Sequence, residues 1–131
     1  MTRQQKWATD ALGHVLRARD TGANPEQKEK YAAKYRTACM KGPSLVQRVG
    51  ALQAVAFWMS RPDPAFRDFA KHVAGALAGQ DAVQLREQLQ KSDLKTYLTG
   101  SRDLIEVTLW FRRMAQAELR DPEADTAANP A

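Results

Sequence analysis

Twenty-two alanines and twelve leucines stand in this chain against seven valines and one isoleucine, and that imbalance constrains the fold more than any other feature. Ala and Leu lose little conformational freedom in a helix, whereas β-branched side chains suit the pleated surface of a strand. An all-α fold is expected. At 131 residues the chain suits one domain, which can bury roughly two-thirds of its unfolded surface without a staple. One cysteine cannot close an internal disulfide, and one cysteine with two histidines is a poor zinc set. These counts exclude a secreted disulfide scaffold, and neither a metal nor a cofactor is expected.

Apolar periodicity and helix-stop signals divide the chain into a compact bundle of about five to six helices. Residues 2–20 place Trp7, Ala11, Leu12, Val15 and Leu16 on one face. Asn24 and Pro25 read as N-cap and first residue of a second helix, which carries Tyr31, Tyr35, Ala38 and Cys39 inward and stops at Gly42-Pro43. A central helix over about 44–60 is apolar on two faces, which places it in the middle of a bundle or at a subunit contact. After the Arg61-Pro62-Asp63-Pro64 break, a fourth helix uses Phe66, Phe69, Ala70, Val73 and Leu77 and ends at Gly79. Shorter helices follow over about 81–91 and 93–98. Gly100-Ser101 then introduces a long C-terminal helix over about 101–120, with Leu104, Val107, Thr108, Phe111, Ala115 and Leu119 buried. Residues 1–120 form the helical domain, and 121–131, rich in Ala, Pro and acid, read as a disordered tail.

The longest uncharged apolar stretch, 49–60, falls short of the roughly 20 residues a bilayer span requires. Arg3, Lys6 and Asp10 at the N-terminus have no apolar run behind them, so no secretory signal is read and a cytoplasmic protein without membrane contact is expected.

The net charge of +5 conceals an asymmetry. Residues 118–131 carry one base and four acids, which leaves 19 bases and 11 acids in the remainder. Between Glu29 and Asp63 there is no carboxylate, yet Lys30, Lys34, Arg36, Lys41, Arg48 and Arg61 all lie there. Surfaces shaped for solubility alone mix both signs, so an acid-free basic segment points to a polyanion, nucleic acid above all. At 100° per residue Lys30, Lys34 and Lys41 fall within about 40° of one another and span roughly 16 Å, enough to follow a few phosphates. On the last helix Arg102, Glu106 and Arg113 face outward, with Arg102 and Glu106 spaced to pair and Trp110 on the flank. Trp58 and Trp110 are candidate protein-interface residues.

Catalysis needs convergent reactive groups, and none is recognisable here, so no catalytic residue is assigned and an enzyme is not expected. His14 and His72 lie in no catalytic motif and read as structural or surface residues. Cys39 shares the arc of Tyr31 and Tyr35 and reads as a small core residue. Gly75 and Gly79 are not followed by the Lys-Ser/Thr of a phosphate-cradling loop.

Two blocks carry a family resemblance. The segment from Lys41-Gly42-Pro43-Ser44-Leu45-Val46 through Val49-Gly50-Ala51 to Ala56-Phe57 resembles a K-x-P-x-x-[IV]-x-x-N-G-L…A-F pattern. Tyr97-Leu98-Thr99-Gly100-Ser101-Arg102, followed by Leu109-Trp110-Phe111-Arg112-Arg113-Met114-Ala115, resembles the C-terminal block of the same family. That family is the small subunit of the type III-B (Cmr) CRISPR RNA-guided effector complex. The chain departs from the pattern at Val49, where the family has Asn, and at Ala51, where it has Leu. The resemblance implies a non-catalytic helical bundle in antiviral defence, whose copies stack into a minor filament. It implies partners as well: the guide RNA–target RNA duplex, contacted on the target-strand backbone, other copies of the chain, and the backbone and large polymerase-type subunits. Lys41 and Arg102 are matched basic positions. Lys30, Lys34 and Arg48 enter as RNA-binding candidates from charge alone, and Arg113 from its outward place on the last helix. Two alternatives stand beside this one: a protein–protein spacer without RNA contact, and a basic helical DNA-binding regulator.

Overall fold

The computed structural model describes residues 1–123. Six helices make it up: α1 (Arg3–Ala18), α2 (Pro25–Val49), α3 (Ala51–Ser60), α4 (Pro64–Ala78), α5 (Ala82–Lys91) and α6 (Leu94–Glu118). Each of five starts carries its cap in the sequence. Thr2 and Asp81 form capping boxes with Gln5 and Gln84, and the side chains of Asn24, Asp63 and Asp93 accept free backbone N–H groups in the first turns of α2, α4 and α6. Gly79 closes α4 in the left-handed conformation at φ 64°.

Two expected helix breaks are absent. α2 runs unbroken through Gly42-Pro43 to Val49, so the central helix expected over 44–60 is instead the end of α2 followed by α3. Pro inside a helix costs about 3 kcal/mol, yet Pro43 stands within α2, where it and Gly42 are both buried. Gly42 passes so close to α4 and α6 that a Cβ there would lie 3.1 Å from Phe69 Cζ and 3.5 Å from Thr108 Cβ. The chain turns at Gly50, whose φ of 85° and ψ of 165° only glycine adopts readily. The second absent break is Gly100-Ser101. The helices expected over 93–98 and 101–120 are one helix, α6, packed there against Leu89 of α5.

The core centres on Phe69 of α4. Tyr35 of α2, Trp58 of α3 and Phe111 of α6 each meet its ring edge-to-face, at centroid distances of 6.0, 5.0 and 5.6 Å. One aromatic on α4 thus ties three other helices together, and Trp7, Val15, Val73 and Leu104 fill the space around it. Most of the predicted inward faces of α1, α4 and α6 are found at this core. Of the expected tail, residues 124–131 lie outside the described residues, while Asp121 reaches back to Arg36 at 3.7 Å. Among the described residues no helix is long and apolar enough to cross a membrane.

Candidate nucleic-acid interface

The unbroken α2 changes the geometry of the basic segment. Lys34, Lys41 and Arg48 recur every seven residues, close to two helical turns, so with Lys30 they share an arc of about 40°. From Lys34 to Arg48 this stripe extends roughly 21 Å. It forms one wall of a groove of about 710 Å³, whose other wall is Phe57 and the edge of Trp58 from α3, with Arg61 and Phe66 where the chain enters α4. The hydroxyls of Thr37 and Ser44, also in the wall, donate back to the carbonyls of Ala33 and Lys41. The cations remain as the charged groups of the groove.

Among the described residues, no carboxylate lines it. Lys34, Lys41, Arg48 and Arg61 enter none of the described ion pairs. Lys30, one turn beyond the groove, is held by Glu26 at 3.2 Å, and Arg36 by Asp121. Arg61 is positioned by aromatic rings, its guanidinium carbon 5.5 Å from the Phe57 centroid and 5.1 Å from that of Phe66. Four cations gathered in one concavity create a focused positive potential.

The remaining predicted residues fall elsewhere. Arg102 and Arg113 are exposed on the outer face of α6 and do not line the groove. The expected Arg102–Glu106 pair is not made. Glu106 instead accepts from Gln4 Nε2 at 2.8 Å, and the same Gln4 amide accepts the indole N–H of Trp110 at 2.6 Å. Trp110 is therefore half-buried against α1, with the Arg113 guanidinium 5.0 Å from its ring. Trp58 needs a correction. It is 1% exposed and packed on Phe69, so it is a core residue that only backs the groove and has almost no surface to offer another subunit. Its exposed neighbour is Phe57, 43% accessible, which sequence reasoning missed along with the role of Arg61. The signal was their i,i+4 spacing, which suits an aromatic–cation contact just before a proline break.

The two histidines, far apart in sequence, stack at a centroid distance of 3.9 Å. Arg17 donates to His14 Nδ1 at 2.9 Å, and His72 Nδ1 shares a 2.8 Å hydrogen bond with the Tyr35 hydroxyl. Desolvation and the neighbouring His14 push His72 down to about 4, and burial with Arg17 beside it lowers His14 as well. Burial pushes the Cys39 thiol well above its ordinary range, so it is held as a thiol in the core. Among the described residues no three His, Cys, Asp or Glu side chains converge as metal ligands.

Fold and groove together define a small all-α bundle with a cationic cleft that, among the described residues, no carboxylate lines. The chain belongs to the Cas_Cmr5 family of CRISPR-associated proteins, which it matches over residues 3–118. It is 32% identical over 120 residues to the CRISPR system Cmr subunit Cmr5 of Thermus thermophilus, covering 92% of this chain and 98% of that one. The X-ray crystal structure of a Cmr5 family protein from the same organism superposes with a TM-score of 0.80 at 32% identity, covering 92% of this chain and 99% of that chain. The two sequence blocks that carry the resemblance meet in space. The Tyr97 hydroxyl accepts the Leu52 N–H at 3.2 Å, directly over the Gly50 turn.

Proposed function

We propose that this chain is a small subunit of a CRISPR Cmr RNA-guided complex, non-catalytic, stacking with copies of itself and holding the target-strand backbone in the α2–α3 groove. The observation that carries the reading is a concavity lined by Lys34, Lys41, Arg48 and Arg61 and, among the described residues, by no carboxylate. Cations spaced along a helix neutralise phosphates without reading bases, which suits a complex whose specificity lies in base pairing between guide and target. Membership of the Cas_Cmr5 family and the Cmr-subunit relative support the assembly part of the reading. Contacts to protein neighbours would fall on α6, where Leu94 and Leu98 are 73% and 57% exposed and Arg102 and Arg113 lie on the outer face.

The test is the combined variant K34E/K41E/R48E, assayed for RNA affinity against salt in the assembled complex. Each lost phosphate contact flattens the log–log slope by about 0.7 to 0.9, so the triple variant should flatten it by about 2 to 3. K30E, whose lysine is already paired with Glu26, should change it less. An unchanged slope in a folded triple variant would refute RNA binding by this groove and leave a protein spacer.

A further inference from the structure

We infer that the groove holds an unpaired nucleotide, with one base stacked on Phe57 and Arg61 while Lys34, Lys41 and Arg48 hold the flanking phosphates. The inference rests on the RNA reading of the same groove and adds the form of RNA that it takes.

A surface that only follows a duplex backbone needs cations and has no use for an exposed aromatic ring. This groove has one. Phe57 is 43% accessible, projects from α3 into the cleft, and stands opposite the cationic stripe of α2. Phe57 is not needed to fill the core, because Ala54, Val55 and Trp58 form the buried face of α3. Arg61 lies over Phe57 and Phe66 at 5.5 and 5.1 Å, so the guanidinium and the Phe57 ring, still 43% accessible, already form one stacked cation–aromatic pair at the rim of the groove. Both are platforms on which any base can stack, whatever its sequence. Leu45 adds apolar surface on the facing wall.

Charge complementarity selects a polyanion, and the ring beside it selects one whose bases are free to leave their stack. Single-stranded RNA, or a strand with a base turned out of its duplex, meets both requirements. A fully paired duplex meets only the first.

The experiment uses the full chain and two single-stranded oligoribonucleotides of equal length and charge, one normal and one with abasic positions at its centre. Wild type should bind the normal strand about five- to tenfold more tightly, the lower part of the range for one stacked base. Phe57→Ala should cut that preference to about twofold or less, Arg61 alone remaining to stack, while leaving the salt slope unchanged, and Phe57→Trp should retain or increase it. A 2-aminopurine at the central position should be quenched by wild type and not by F57A. Because Phe57 is exposed, F57A should keep the wild-type circular dichroism and urea midpoint. Equal affinity of wild type for the two strands, with a normal salt slope, would overturn the stacked base and leave backbone binding standing. A wild-type protein with no salt-dependent affinity for either strand would overturn the RNA reading itself.

Discussion

Gly50 and Tyr97 provide a measurement of how the two family blocks are coupled. Gly50 sits at φ 85° and ψ 165°, a region that costs a residue with a Cβ about 1 to 3 kcal/mol. A Cβ added there would also stand 2.7 Å from the Tyr97 hydroxyl oxygen, inside contact distance. In Gly50→Ala the tyrosine must withdraw, and the Leu52 N–H then loses its acceptor, worth about 1 kcal/mol. Gly50→Ala should therefore destabilise the fold by about 3 kcal/mol in urea denaturation, through a lower midpoint at constant m. Tyr97→Phe alone should cost about 1 kcal/mol, because it removes the same acceptor without straining the turn. In the double variant the offending oxygen is gone and the acceptor is lost only once, so the total should fall short of the sum by about 1 to 2 kcal/mol. Strict additivity, or a Gly50→Ala cost below about 1 kcal/mol, would refute this account of the turn.

Two further predictions concern the core. The His72 ring, stacked on His14, bonded to Tyr35 and near Asp68, Arg17 and Lys71, titrates at about 4 when folded against 6.5 unfolded. The unfolded state thus binds the proton first, so the stabilisation is complete above pH 6.5 and is lost as pH falls toward 4. Allowing for the ring's partial exposure, about 2 kcal/mol should be lost across that window; urea midpoints between pH 7 and 4 for wild type and His72→Gln check it, the variant losing less. Gly42→Ala gains about 1 kcal/mol of helix propensity but brings a Cβ to 3.1 Å from Phe69 Cζ. Three aromatic neighbours hold Phe69, so overpacking should win and the variant should be net less stable by about 1 kcal/mol. A raised urea midpoint would mean that Phe69 moves freely.

Much of the fold was legible in the sequence because the local signals agree with the packing. Asn24-Pro25, the Asp63-Pro64 start and Gly79 each specify a helix end by their own backbone chemistry, and α2 and α4 begin or end where those residues stand. Gly42-Pro43 and Gly100-Ser101 misled because their local preference is to break a helix. Gly42 is glycine for a tertiary reason, to let α2 pass Phe69, and that reason is not visible in the chain until α4 is placed beside it.

The same misreading governs what could be seen of the site. With a break at Gly42-Pro43, Arg48 belongs to another helix and has no fixed relation to Lys34 and Lys41. With α2 continuous, the three stand seven residues apart on one face, and the acid-free stretch becomes a wall of a groove. Charge composition identified the segment because the lack of carboxylates is a property of the sequence alone. Which bases work together is a property of helix continuity and of pairing, which separates Lys34, Lys41 and Arg48 from Lys30, which Glu26 holds, and from Arg36, which Asp121 holds. Arg102 and Arg113 lie on a separate surface, as their place on the last helix led one to expect: α6 buries Leu104, Val107, Thr108, Phe111 and Ala115 and leaves both arginines exposed. A single helix without a break thus makes the cationic cleft, and the glycine that permits that helix lies against the core residue that ties three other helices together.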